Sequence, residues 1–476
     1  MFDAGERALF EELTEELMDF SSVGIRPGLE RVSRLLYRLG SPELSFESIQ
    51  VLGTNGKGST AATIESICSE AGMRVALYTS PHLVSLQERL CVGRSFLPIE
   101  LWRGAFERVK EAVLADEALR AGRPTFFETL TAMAFLMIAE ASCDVAVLEA
   151  GMGGRCDATS ACRALATVVT PIGIDHREYL GDTLAAIASE KFSAIRPGTP
   201  AFYSGDDASL REAFTMRCRS FRSPCFLLNE LAHPEDIRCF LDGTSFSYVG
   251  TSQGTGLFLP RLSSPLIGLH QAHNQTKAIS VLLALRERTP LFRAIGEAKI
   301  RTGLAKTRWP GRCEVFRPGG DSPAVILDGA HNEDALEALM STLFALSESG
   351  AIGGVGAVVF AVMRDKELEP LIALLGSWAA PVFCTQVAGE RSMRAEELAA
   401  AFRAHGVPVA GAFDSPDDAL AAALFSVANP SEIVLCCGSL FLVGHLIRTF
   451  ERNPCRYARR RENKDVEGSL GVYLSP

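Results

Sequence analysis

The residues with the clearest chemistry lie at 51–60, VLGTNGKGST, where an apolar run turns through small residues into a helical pattern. Glycines let a backbone approach an anion, successive N–H groups and a helix start favour negative charge, and Lys57 adds a mobile cation. That is the composition of a phosphate cradle, with Ser59 or Thr60 as a hydroxyl for a metal ion. The usual P-loop carries a glycine five positions before its Gly-Lys pair and a hydroxyl residue directly after the lysine. Here those positions hold Val51 and Gly58, so the loop is a variant. Acids and imidazoles recur at the ends of other strand-like runs, where open α/β sheets bind ligands. Glu149 ends DVAVLE and precedes a glycine-rich turn, which makes it a metal-ligand candidate; the bland alternative is a helix-capping or solvated acid. Asp175 and His176 follow the run at 166–170, and Asp328, His331 and Asn332 follow AVIL.

The elements that must position these groups follow from hydrophobic periodicity. Apolar residues at three- and four-residue spacings predict helices over 6–20, 28–39, 59–71, 126–141 and 182–195. Short apolar runs predict strands at 48–52, 144–148 and 166–170, with an extended run at 74–83. Residues 201–269 show short alternating runs that suggest small β elements. A helix opening at HQAHN offers His270, Gln271, His273 and Asn274 at its start, where they could read a base or simply cap the helix. Lys191, on the 182–195 helix, reads by composition alone as a solvated side chain. RTGLAKTRWPGR near 301–312 ends a helical pattern and marks the expected domain boundary. A second α/β alternation follows, with strands near 324, 355, 382 and 434, nearly all apolar as in a parallel sheet covered on both faces.

A chain of 476 residues exceeds one ordinary core, so two domains are expected. With 47% hydrophobic residues, 22% charged residues and a net charge of −10, it has the composition of a globular protein and no bias toward nucleic acid. Its 13 cysteines include no CxxC pair and several lie in apolar runs, as expected for a reduced, cytoplasmic setting. The most apolar stretch, 130–148, is broken by Glu140 and Asp144, and the N-terminus lacks a signal-peptide pattern. No membrane association is expected. Residues 453–476, with an Arg run at 459–461, read as a loose tail.

Taken together, GTNGKGST, YTSPHL with QERL, LEAGMGGRCDAT, IGIDHREYLGDT with Glu190-Lys191, HQAHN, WPGRCE, LDGAHN, MRDK and GSLFLVG resemble the folylpolyglutamate synthase and dihydrofolate synthase family, a branch of the Mur ligase superfamily. The likeness spans about 28–443, and the variant cradle is the form this family uses. It implies an α/β protein: an N-terminal P-loop-type ATPase domain with a parallel sheet over 1–305, and a smaller Rossmann-like domain over 306–452. It implies an ATP-dependent ligase adding L-glutamate to dihydropteroate, to tetrahydrofolate chains, or to both, through an acyl phosphate. Gly53, Thr54, Asn55, Gly56, Lys57, Gly58, Ser59 and Thr60 would hold ATP with Asn274, Arg312 and Asp328. Lys57, Lys191, Asp328 and His331 would serve catalysis. Ser59, Glu149 and His176 would bind Mg2+, with a carbamylated Lys191 helping to bind a second ion; a monovalent cation is a further candidate. Ser80, Pro81 and His82 would meet the pterin-bearing substrate. A monomer is expected. The sequence departs from the family pattern at Ala150, at Ser160 and at Phe192-Ser193-Ala194, none of which removes a charged group.

Overall fold

The computed structural model describes residues 4–389, 391–453 and 456. Most of the tail expected at 453–476 lies outside them. The first sheet has eight strands: β1 (Glu47–Leu52), β2 (Val75–Tyr78), β3 (Leu90–Val92), β4 (Ser95–Phe96), β5 (Val145–Glu149), β6 (Ala164–Val169), β7 (Ala201–Tyr203) and β8 (Cys225–Leu227). Their order is β4-β3-β2-β5-β1-β6-β7-β8. From β2 to β8 the neighbours run parallel, whereas β3 and β4 form an antiparallel edge.

Alternation along the strands divides the core into two layers. Ala146 and Leu148 face a cluster built with Phe10, Trp102, Phe106 and Phe135 of the helices Ala4–Phe20, Ile99–Leu114 and Phe126–Glu140. Val145 and Val147 face the opposite cluster, with Ile64 and Ile67 of the helix Lys57–Glu70, Ile279 and Leu282 of Leu269–Arg286, and Leu304 of Glu297–Lys306. Every residue of β5 is buried, which explains its unbroken apolar run. Each fully buried aliphatic side chain contributes about 1.5–3 kcal/mol. A small antiparallel sheet, β9 (Ala232–Phe240), β10 (Gly243–Gly250) and β11 (Phe258–Ser264), closes this second layer through Phe246, Tyr248, Leu259 and Leu262.

The last sheet has six strands, β12 (Glu314–Phe316), β13 (Ala324–Leu327), β14 (Val355–Phe360), β15 (Val382–Thr385), β16 (Val409–Phe413) and β17 (Ile433–Cys437), in the order β12-β13-β17-β14-β15-β16. It is parallel except for β12, which pairs antiparallel with β13. The 59–71 helix starts earlier than its pattern indicates, at Lys57, so the cradle lysine itself opens the helix. The region 201–269 is richer than its alternating runs suggest, since it includes the helix Ala208–Ser220, which buries only Leu210, Phe214 and Cys218. One narrow apolar stripe gives a weak helical signal. Among the described residues no helix is long and apolar enough to cross a membrane, and every cysteine is free.

Candidate active site

The cradle leaves β1 through two glycines with left-handed backbone, Gly53 (φ +138) and Gly56 (φ +81). A Cβ at Gly53 would collide with Thr170 at the end of β6, and one at Gly56 would lie 2.6 Å from Asn274 Oδ1. Both glycines are therefore required by close packing as well as by φ. Lys57 Nζ folds back to donate to the carbonyls of Gly53 (3.2 Å) and Thr54 (3.1 Å). The departure at Gly58 has a local cause. The indole of Trp309 occupies the place where a Cβ at Gly58 would stand. Gly58→Ser, which installs the usual P-loop hydroxyl, is expected to destabilise the fold by about 1–3 kcal/mol through overpacking. Trp309→Ala should offset part of that loss, so melting curves of the double variant should show less than the summed effect of the two single changes.

Glu149 stands beside the cradle because β5 and β1 are parallel neighbours with Val51 opposite Glu149. Its carboxylate is buried and accepts from Ser80 N (3.2 Å). Burial raises its pKa, opposed by Lys57, the Ser80 N–H and Arg312. His176 adopts left-handed backbone (φ +53) and donates its N–H to Asp175 Oδ1 (2.8 Å). Lys191 is buried, contrary to its composition-based reading as solvated, and Nζ donates to Gly53 O (2.8 Å). Burial first, then the Lys57 charge, brings its pKa down to about 7. It lines a chamber of about 20 Å3 together with Gly53, Lys57, Asp175 and His176.

From the last sheet, Asp328 at the end of β13 accepts from Cys313 N and Ala330 N, both at 2.7 Å. It ties the linker after Trp309 to the loop that presents His331. His331 Nδ1 lies 2.7 Å from Gly329 O; a carbonyl only accepts, so this nitrogen carries the hydrogen. Polar contacts join the two faces. Asn55 and Asn332 exchange amide hydrogen bonds (3.1 and 3.3 Å), Lys366 pairs with Asp175 at 2.6 Å, and Arg177 pairs with Glu367. Burial opposes ionisation of Asp175, yet His331, His176 and Lys366 hold its pKa well below the usual carboxylate value. Residues 54–59, Ser80, Pro81, Glu149, His176, Asn274, Arg312, Asp328 and His331 thereby line one cleft of about 680 Å3.

The sequence matches the Mur ligase middle domain over 51–282 and the Mur ligase glutamate ligase domain over 311–440. It is 33% identical over 431 residues to the dihydrofolate synthase/folylpolyglutamate synthase of Bacillus subtilis, covering 89% of this chain and 95% of that protein. The chain belongs to the dihydrofolate synthase/folylpolyglutamate synthase family. The Escherichia coli family member is 31% identical, with 91% of this chain and 94% of that protein covered. Among solved structures, Mycobacterium tuberculosis folylpolyglutamate synthase complexed with ADP and AMPPCP superposes with a TM-score of 0.82 at 29% identity, covering 94% of this chain and all of that one. E. coli FolC in complex with DHPP and ADP gives 0.78 at 29% identity, covering 93% and 98%.

Several family-motif residues stand off the main cleft: Gly53 and Lys191 line the small chamber, and Thr60 is buried in the helix. His82 lies outside the cleft lining, its Nδ1 accepting from Arg89 Nε at 3.2 Å, and burial pulls its pKa down to about 3. The structure gives places to other residues that the sequence reading assigned no role. Lys277 and Lys366 line the cleft, and Asp157 shapes the turn after Glu149 by accepting from Met152 N (2.8 Å) and Thr159 N (3.0 Å). Among the described residues no three His, Cys, Asp or Glu side chains converge on a metal position. Mg2+ carried on nucleotide phosphates needs only one or two carboxylates and keeps several waters. The Glu149 carboxylate and the Ser59 hydroxyl, both hard oxygen donors lining the cleft, fit an ion held in that way.

Proposed function

We propose that the protein is an ATP-dependent ligase joining L-glutamate in amide linkage to dihydropteroate, to tetrahydrofolate γ-glutamyl chains, or to both, with release of ADP and phosphate. One observation carries the reading: the cradle, Glu149, Arg312 and His331 line a single cleft. Family relatives bear both activities by name, and related structures hold ADP, AMPPCP and folate. The division into 1–305 and 306–452, action as a monomer and a cytoplasmic location belong to the same proposal.

A carboxylate does not form an amide directly, because its leaving group would be oxide or hydroxide. In the proposed sequence a carboxylate oxygen of the acceptor attacks the γ-phosphorus in line. The bond to the β–γ bridging oxygen breaks and ADP leaves with that electron pair. The α-amine of glutamate then attacks the acyl-phosphate carbonyl, loses a proton, and expels phosphate. The first step brings an anion to a polyanion, so charge is its main barrier. Lys57, Arg312 and His331 would place donors and positive charge around the phosphates, and residues 53–56 would position them through backbone N–H groups. Mg2+, held by Ser59, Glu149 and His176, with a carbamylated Lys191 helping to bind a second ion, would further neutralise phosphate charge. Asn274, at the start of the helix Leu269–Arg286, would meet the nucleotide, while Ser80 and Pro81 would meet the pterin.

The test is ADP release with L-glutamate and, in turn, dihydropteroate, a tetrahydrofolate and a muramyl precursor. Glutamate-dependent release with at least one pterin is the expected result. Release with the muramyl precursor alone would make the protein another Mur-type ligase, and none with any acceptor would leave a nucleotide-binding homologue without chemistry.

A further inference from the structure

The segment that follows Ser80 is held from two sides. Toward the cleft, Ser80 N donates to the Glu149 carboxylate at 3.2 Å. Within the segment, the Glu88 carboxylate accepts from three successive amides, Leu83 N (2.7 Å), Val84 N (2.8 Å) and Ser85 N (2.7 Å). Three hydrogen bonds to one charged group fix the backbone here far more firmly than a solvated loop. Away from the cleft, the loop leaves its own sheet. Val84 is buried in the apolar cluster of the six-stranded sheet, with Val325, Leu327, Val443 and Leu446, and Leu83 packs against the same cluster.

Two glycines form the socket. Gly444, in the helix Leu440–Arg452, admits the main chain of Leu83 so closely that a Cβ there would run into the Leu83 carbonyl. Gly311, with left-handed backbone (φ +70), lies in the linker between Trp309 and β12. A Cβ there would stand 2.9 Å from Leu83 Cδ1 and 2.9 Å from Val443 Cγ1. The next residue is Arg312, whose Nη1 donates back to Gly311 O at 3.0 Å. The linker is fixed by Gly311 N to Glu314 Oε2 (2.8 Å), Gly329 N to Gly311 O (3.0 Å) and Cys313 N to Asp328 Oδ2 (2.7 Å). The socket helix is also held at both ends: Ser439 caps it beside the cleft, and Glu451 in its last turn pairs with Arg7 of the N-terminal helix at 3.0 Å.

We propose that Leu83 is a positioning residue that keys the loop beginning at Ser80 into the six-stranded sheet, so that this loop and Arg312 move as one body. The proposal rests on the ligase reading above, in which that loop meets the acceptor and Arg312 meets the nucleotide. Leu83 touches neither reactant in this scheme. It transmits the loop's position to Gly311, and through Gly311 to the guanidinium, because the packed contacts leave no room for the two to shift independently. Acceptor seated at Ser80 and Pro81 then fixes the cation opposite the cradle.

Hydrogen exchange on the full-length chain tests the coupling without turnover. In Leu83→Ala, the amides of 83–85 and those of 311 and 313 are expected to exchange faster together, because the two segments open as a unit. Acceleration confined to 83–85 would overturn the proposal. Kinetically, Leu83→Ala should lower kcat by about 10- to 100-fold through misplacement, with KM for ATP within about two-fold, the retained cradle giving retained ground-state binding. Leu83→Met, close in volume, should restore most of the rate. An unchanged kcat in Leu83→Ala, or equal loss in Leu83→Met, would also overturn it. Should Leu83→Ala fail to fold, Leu83→Val carries the same comparison. If the wild-type chain releases no ADP with any pterin, the ligase reading fails, and the exchange experiment still decides whether the segments are coupled.

Discussion

Lys57→Ala is expected to lower acceptor-dependent ADP release by about 10²-fold or more, the scale on which a preorganised electrostatic contact acts. The lysine opens the helix Lys57–Glu70, and its ammonium donates to the carbonyls of Gly53 and Thr54 in its own loop. Those bonds are to neutral oxygens, so an incoming phosphate competes with them favourably for the ammonium. Losing the side chain should leave the melting temperature little changed, since the glycine packing against Thr170 and Asn274 does not involve it. It should also change Glu149. The Lys57 charge is the largest influence opposing the burial that raises the Glu149 pKa. Without it the carboxyl ionises at higher pH, and the residual activity of Lys57→Ala should fall off at a higher pH on the acid side than that of the wild type. Lys57→Arg is expected to recover little, because a planar guanidinium does not match a compact ammonium in a loop this tight. Steady-state kinetics across pH check all three points, and wild-type rates in Lys57→Ala would remove the cradle lysine from the mechanism.

The groups that converge on the cleft were legible in the sequence where they sit at strand ends. Glu149, Asp328 and the cradle each terminate an apolar run, and parallel pairing brings Val51 opposite Glu149 and Leu327 opposite Cys436. What the sequence hides is what each side chain spends its atoms on. Asp328 resembles a nucleotide contact by motif, yet both of its oxygens accept backbone amides. Glu88 lies in a recognisable motif, but its grip on three amides of the preceding turn depends on the folded loop. Trp309 appears as a helix-ending aromatic until the fold lays it across Gly58, 251 positions earlier in the chain counted from their numbers. Asp175 and Lys366 are likewise distant in sequence and meet across the cleft. Local pattern reports which residues share a strand end or a helix face. It does not report which loops from different sheets meet, and the Leu83 socket and the Asn55–Asn332 pair are contacts of that kind.

Lys191→Ala is expected to cost about 10²-fold or more in rate, and its pattern of rescue separates a carbamate from a plain lysine. The side chain is buried, with Nζ donating to Gly53 O at 2.8 Å, and it borders the small chamber shared with Lys57 and His176. A cation in that place would add to the positive charge of Lys57, and desolvation with that repulsion brings the lysine's pKa down to about 7. Near neutral pH, then, a sizeable share of the amine is unprotonated. A neutral amine can attack CO2; the new N–C bond gives a carbamate and releases a proton, exchanging a disfavoured cation for an anion beside Lys57. Below pH 7 protonation removes the nucleophile, so bicarbonate should raise activity more at pH 8 than at pH 6, on either side of the value of about 7. In Lys191→Ala, acetate or formate can enter the vacated volume and supply the missing carboxylate, restoring part of the rate. Lys191→Arg keeps the charge, does not carbamylate and fills that volume, so short carboxylates should not rescue it. Full activity of the unassisted alanine variant would sink the carbamate, and equal rescue of both variants would show that the added anion acts elsewhere.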